Sequence, residues 1–540
     1  MKKRVYIKHW LKLKPQNYSG KTDLHYLKIA NGIYSSLDYD QKMTLLEFMD
    51  TDDIIDLCCF ITCYYEDVIS QTNIWRAFKI LYAATYNKPL PFYTVGANYI
   101  DEEINLEDVA LLLWYYINTI QDEKFLNPYN KFIFNIAKQI MDRLDEDYEY
   151  APENKALKKC YEFSSKVVSS SDQFYNTRAY LQTIFFESYL LYPDIKRRLD
   201  HDILTSIEAH LHEDLDLQMG YIREKTETYT FNTCSSLLAL NAKDWASAIL
   251  GASHADYNAV SNISSKITSL FQYKSQSETD VTLQHIASGM LFKMTKKSFD
   301  NLEDLHEDNI IYIGLVKYEE EWWFSGNFTA YPFDANIILD QKNSPEARSE
   351  VSFLENGQEV ESLLAVQKQA FLDFNEGSLI AFLNSKDLNS FLEGFVAFYN
   401  DSLKLTTKEK EAARKRAKSD GYFGGMDGLK EWEDNEDLFV VFFNPNSGIE
   451  FYDDIVNAFP DKRNPFFIAE KKEDIEAILL TQIYSTEFTN YFVEHYKDQL
   501  AYFKIEPYKS YLNDLDFLLR FWKKDHYKTK SAMVLTNENQ

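Results

Sequence analysis

Between residues 20 and 270 the apolar positions recur at helical spacing. In "DLHYLKIANGIYSSL", Leu24, Leu27 and Ile33 fall near one face. "NLEDVALLLWYYINTIQDEKF" opens on Asn105 and Asp108 and then runs apolar on most faces, as a central buried helix does. "NPYNKFIFNIAKQIMDRL" follows, with Pro128 suited to a first helical turn. A polar break from Val168 to Asp172 precedes helices expected at 174–218 and 234–272, and no fixed period marks a solenoid. The opening segment reads differently. Val5, Ile7, Leu11 and Leu13 alternate and predict a short strand, while Lys8, Lys12 and Lys14 interrupt any apolar signal-peptide core.

The pattern changes after "YKSQSETD" (273–280). "VTLQHIASGMLFKMT", "NIIYIGLVKYEEEWWFSGNFTAY" and "NIILD" are short β-rich runs parted by turn residues, which predicts a small antiparallel sheet or partly closed barrel. Helices are expected again over 360–400. Thr406 and Glu409 have capping-box spacing ahead of the cationic "TTKEKEAARKRAKS". "DLFVVFFNPNSGIEF" reads as a strand, a tight turn and a second strand or the approach to a helix at 453–459, with two more helices near 471–484 and 486–498. The expected class is α+β and predominantly helical. It comprises a large α-helical region over 1–275 with a sub-boundary near 168–172, and a small antiparallel β module over 276–345. A helical region over 346–430 ends in a Gly-rich connector, and a mixed α+β region covers 431–540.

Composition narrows the function classes. With 57 Lys and Arg against 84 Asp and Glu, the net charge is −27, which repels nucleic acid and anionic membranes and suits solubility or a basic protein partner. Five cysteines make no disulfide framework and fit a reducing cytoplasm. The apolar run Val109–Ile117 is too short to span a bilayer.

The candidate chemistry is sparse. "KRAKSDGYFGGMDG" gathers Gly421, Gly424, Gly425 and Gly428 beside cations, which raises a phosphate-cradling loop. The Walker lysine is missing, however, and the loop follows a helix C-terminus instead of opening a helix. A helix stop and connector is the stronger reading. Glu433, Asp434, Glu436 and Asp437 could hold Mg²⁺ or Ca²⁺, although their spacing lacks the EF-hand pattern. His210 and His212, two apart, point to different faces of a helix and cannot easily share a metal. Cys58, Cys59 and Cys63 read as buried thiols, and His285 as a structural histidine. The tail "FLLRFWKKDHYKTKSA" interleaves Phe517, Phe521 and Trp522 with cations in the manner of single-strand nucleic-acid binders, but a core stripe with a basic outer face explains it better. No nucleophile signature and no cofactor motif stands out.

The phrases "DVISQTNIW", "NPYNKFI", "YEYAPENKALK", "LQHIASG", "EWWFSG" and "FFNPNSGIE" together resemble a family found in Bacteroidota, a domain of unknown function, over most of the chain. The resemblance implies a bacterial cytoplasmic protein and carries no functional residues with it. The segment Ile286–Gly326 is similar to small β modules of SEC-C-type proteins, but the cysteine-rich metal motif of those proteins is missing here. The reading that best fits is a noncatalytic protein-interaction or regulatory protein, with Trp322 and Trp323 as candidate contacts. The alternatives are a metal-dependent enzyme acting on nucleotides or phosphoesters and a nucleic-acid-binding protein using the basic aromatic tail.

Overall fold

The computed structural model describes residues 5–16, 18, 20–121, 125–163, 170–299, 305–344, 347, 351, 357–403, 406–411 and 437–527. Its internal contacts divide the chain into two compact units. One comprises residues 1–266, 316–321 and 325–327; the other comprises 267–315, 322–324 and 328–540. The described residues are predominantly helical, with two small sheets.

The first unit is built from α1 (Ile7–Leu11), α2 (Asp23–Ser36), α3 (Tyr39–Leu45), α4 (Thr51–Ser70), α5 (Ile74–Tyr86), α6 (Leu106–Thr119) and α7 (Lys131–Asp145). It continues with α8 (Lys155–Cys160), α9 (Ser170–Glu187), α10 (Arg197–Ala209), α11 (Leu215–Asn232), α12 (Ala242–Leu250) and α13 (Tyr257–Ser261). Two helices form its centre. In α4 the Asp50 carboxylate caps the start by accepting from Asp53 N–H at 2.8 Å, and Gln71 ends the helix in the left-handed region at φ 51°. In α6 every side chain from Asp108 to Asn118 is buried, which is why its sequence shows no polar face.

The N-terminus corrects the strand expected there. Residues 7–11 are helical, because Trp10 rather than the alternating aliphatics is the anchor: Val5, His9, Trp10 and Leu13 are the buried positions, at helical spacing.

From Ile267 the chain forms a closed five-stranded barrel of order β1-β2-β3-β5-β4, made of β1 (Ile267–Gln276), β2 (Asp280–His285), β3 (Leu291–Thr295), β4 (Ile310–Tyr318) and β5 (Glu321–Tyr331). β1 runs antiparallel to β2 and β4, and β2 to β3, while β3 meets β5 in parallel at Met294 and Trp322. The first strand lies in a stretch expected to be helical. Ile267, Ser269, Phe271 and Tyr273 are buried in strict alternation, a period of two that overrides helix propensity.

After α14 (Ala335–Asn343) and α15 (Gly357–Phe374) comes β6 (Ile380–Asn384), also in a region expected to be purely helical. It pairs with β7 (Leu438–Asn444), which in turn pairs with β8 (Gly448–Asp453). β6 and the central β7 are buried on both faces, so their apolar runs show no period. Ile380, Phe382, Val440 and Phe442 pack with α17 (Lys472–Leu480) and α18 (Thr486–Tyr496). Ala381, Phe439, Val441 and Phe443 pack with α15 and α16 (Ser385–Ser402). Short helices α19 (Tyr508–Tyr511) and α20 (Leu515–Trp522) complete the second unit.

Candidate functional site

The residues singled out from the sequence fall into three groups. Gly421, Gly424, Gly425, Gly428, Glu433, Asp434 and Glu436 lie outside the described residues. Asp437 is described: its carbonyl accepts from Ser385 N–H at 3.0 Å as the chain enters β7. Trp323 is 1% exposed, and Trp322 packs on the barrel core with its ring centroid 4.9 Å from that of Phe292. Cys58, Cys59 and Cys63 are free and buried, and burial pushes the Cys58 and Cys63 thiols up to about 12. Among the described residues no group of three or more His, Cys, Asp or Glu is placed to hold a metal ion.

His285 is fully buried between two serines. Its Nδ1 accepts from Ser288 N–H at 3.2 Å and lies 2.8 Å from Ser288 Oγ, and its Nε2 lies 2.9 Å from Ser269 Oγ. Both ring nitrogens are engaged by protein groups, as those of a structural histidine are. Burial lowers its pKa to about 4. Lys523, in the basic tail, is not available to a phosphate. Its ammonium is buried and donates to the carbonyls of Ile478 (2.9 Å), Thr481 (2.6 Å) and Tyr484 (2.9 Å), satisfying the open C-terminal end of α17.

Sequence pattern did not reveal the buried carboxylates, because their partners are distant in the chain. Asp108 accepts from Tyr64 OH (2.9 Å), Tyr99 OH (2.9 Å) and Trp75 Nε1 (3.0 Å). Asp67 accepts from Thr72 Oγ1 (2.6 Å), Trp75 N–H (2.7 Å) and Tyr189 OH (3.0 Å), so it caps α5 from the preceding helix. Glu66 pairs with the buried Lys14, and Asn154 Nδ2 donates to its other oxygen at 2.7 Å. In "EWWFSG", Ser325 Oγ donates to Glu227 at 2.6 Å and Asn327 N–H donates to Glu224 at 3.0 Å, while Lys266 pairs with Glu224. Gly326 sits at φ +91°, where a Cβ would lie 2.2 Å from the Glu224 carboxylate, so only glycine fits. In "FFNPNSGIE", Glu450 accepts from Asn444, Ser447, Tyr452 and Ser485 at 2.7–2.8 Å. Burial raises the pKa of Asp67, Asp108 and Glu450, and their hydrogen bonds oppose that rise. Each carboxylate is engaged by protein donors, as structural charges are.

One region contrasts with these clusters. α10 and α11 form an antiparallel hairpin pinned at its base, where Tyr229 OH donates to Asp202 at 2.8 Å and Arg198 donates to the Cys234 carbonyl at 2.9 Å. Its loop is also ordered from within. Asp214 caps α11 by accepting from Leu217 N–H at 2.9 Å, Gln218 Nε2 donates to the Glu213 carbonyl at 3.1 Å, and the His210 ring lies 4.1 Å from that of Tyr221.

Beyond this scaffold the tip exposes large apolar side chains: Leu204 (59%), Leu211 (68%), Leu215 (76%), Leu217 (50%) and Met219 (53%). Burying one such side chain is worth about 1.5–3 kcal/mol, so leaving five in water between residues 204 and 219 forgoes a large stabilisation. The same stretch, "LDHDILTSIEAHLHEDLDLQMGYI" (199–222), contains six Asp or Glu and no Lys or Arg. Among the described residues Glu208, Glu213, Asp214 and Asp216 form no ion pair with a lysine or arginine. The signal was present in the sequence as a leucine-rich, wholly acidic run.

A family model described as a protein of unknown function (DUF3843) matches residues 4–345, a span that includes this hairpin and the barrel but stops before "FFNPNSGIE". No curated protein and no solved structure matches the chain.

Proposed function

For a chain that belongs to the DUF3843 family of proteins of unknown function, we propose a noncatalytic role as a protein-interaction or regulatory protein. The observation that carries it is the exposed apolar tip of the α10–α11 hairpin. Five large apolar side chains exposed within sixteen residues of an internally hydrogen-bonded hairpin fit a docking face, whereas scattered single exposures such as Leu24 or Ile468 are ordinary surface. A cytoplasmic setting and an origin in Bacteroidota belong to the same proposal. The first agrees with five cysteines that are all free, and the second rests on the resemblance of phrases such as "NPYNKFI" and "EWWFSG".

The experiment is a comparison of affinity-purified complexes from native cells, using the wild-type chain and a Leu211→Ser/Leu215→Ser variant with unchanged circular dichroism. A partner retained by the wild type and lost from the variant supports the role. Identical sets of co-purifying proteins remove it.

A further inference from the structure

We propose that the tip of the α10–α11 hairpin receives a cationic amphipathic helix of a partner protein, a proposal that rests on the interaction reading above. The occupant is selected by charge. An apolar face bordered by Glu208, Glu213, Asp214 and Asp216, with no lysine or arginine between residues 199 and 222, complements an apolar stripe flanked by Lys and Arg. The same charge argues against the other occupants. A second copy would set the four border acids against four, in a chain of net charge −27. Anionic lipid and nucleic acid are repelled in the same way.

The shape agrees. Leu215 and Met219 stand one turn apart on α11, with Leu211 just before them in the loop, giving a short row of anchors of the kind that meets another helix at i, i+4 spacing. The acidic border then steers the approach and makes association depend on ionic strength, while the leucines set the rate of departure.

The test uses the full chain and three synthetic peptides of equal length: an amphipathic Leu/Lys helix, the same composition scrambled to destroy the apolar stripe, and an amphipathic Leu/Glu helix. Binding is read by fluorescence anisotropy. The expected result is that the Leu/Lys helix binds at least about tenfold tighter than either control, and weakens about tenfold from low to high salt. A Leu211→Ser/Leu215→Ser/Met219→Ser variant should lose at least about tenfold in affinity. A Glu208→Gln/Asp216→Asn variant, which touches neither cap nor core, should reduce the salt dependence and provides the test should the triple variant fail to fold. Equal binding by wild type and both variants, or equal binding of the scrambled peptide, overturns the proposal by reducing it to general attraction for cations. If no peptide binds while native complexes still depend on Leu211 and Leu215, the docking face stands and the cationic-helix occupant falls.

Discussion

The carboxylates of the central helices and those of the α10–α11 hairpin are the same chemistry put to opposite uses. Asp67 and Asp108 are buried, and each is held by three or more hydrogen-bond donors from its own unit. Glu208 and Asp216 are exposed beside exposed leucines and, among the described residues, pair with no lysine or arginine. A buried charge survives only when its partners come with it, so its network closes on itself and leaves nothing for a ligand. An exposed acidic and apolar surface has no such closure. The difference separates charges held by the fold from charges left to solvent.

The largest effect should follow from opening a closed network. Asp108→Ala orphans the Tyr64 and Tyr99 hydroxyls and the Trp75 indole, and should cost about 3–5 kcal/mol, read by urea denaturation with tryptophan fluorescence. A cost below about 1 kcal/mol would show that water already reaches this cluster, and the contrast with the hairpin would blur.

Next in size is a pH effect at His285. Its folded pKa of about 4 lies below the unfolded value near 6.5, so the unfolded chain binds the extra proton and stability falls as pH drops from 6.5 towards 4. The full loss is about 3 kcal/mol. The raised carboxylates Asp67 and Asp108 act in the opposite sense, because the folded state takes up their protons first as the pH falls. The measurement is therefore the difference between wild type and His285→Gln across this window, and the variant should lack the histidine's contribution to the slope.

Lys523→Met should cost about 2 kcal/mol by leaving the Ile478, Thr481 and Tyr484 carbonyls without their donor. Smallest of all, Leu211→Ser/Leu215→Ser should move the denaturation midpoint by no more than about 0.5 kcal/mol, since both side chains are already in water. A large loss there would make the hairpin tip part of the core.

How much of this was legible in the sequence depended on whether the physics was local. The helical run of α6 and the turn in "FFNPNSGIE" are local and show in the pattern, whereas the change of period expected after 273 comes at Ile267. β6 is five residues long and buried on both faces, so neither period reveals it. α1 is anchored by Trp10, whose indole donates to Asp23 at 2.8 Å, a contact no window of alternating aliphatics contains. The Asp108 network draws on residues 64, 75 and 99, a convergence only the fold creates. For the hairpin the reverse holds: "HLHEDLDLQM" displays its leucines and acids openly, around two histidines whose spacing suits no shared metal.

The most direct measurement is amide hydrogen exchange over residues 199–222, comparing the free chain with the complex isolated from native cells. The account predicts that exchange slows in the complex across 204–219, while the already slow amides of α4 and α6 are unchanged. Unchanged exchange in the hairpin, with protection appearing elsewhere, would contradict it.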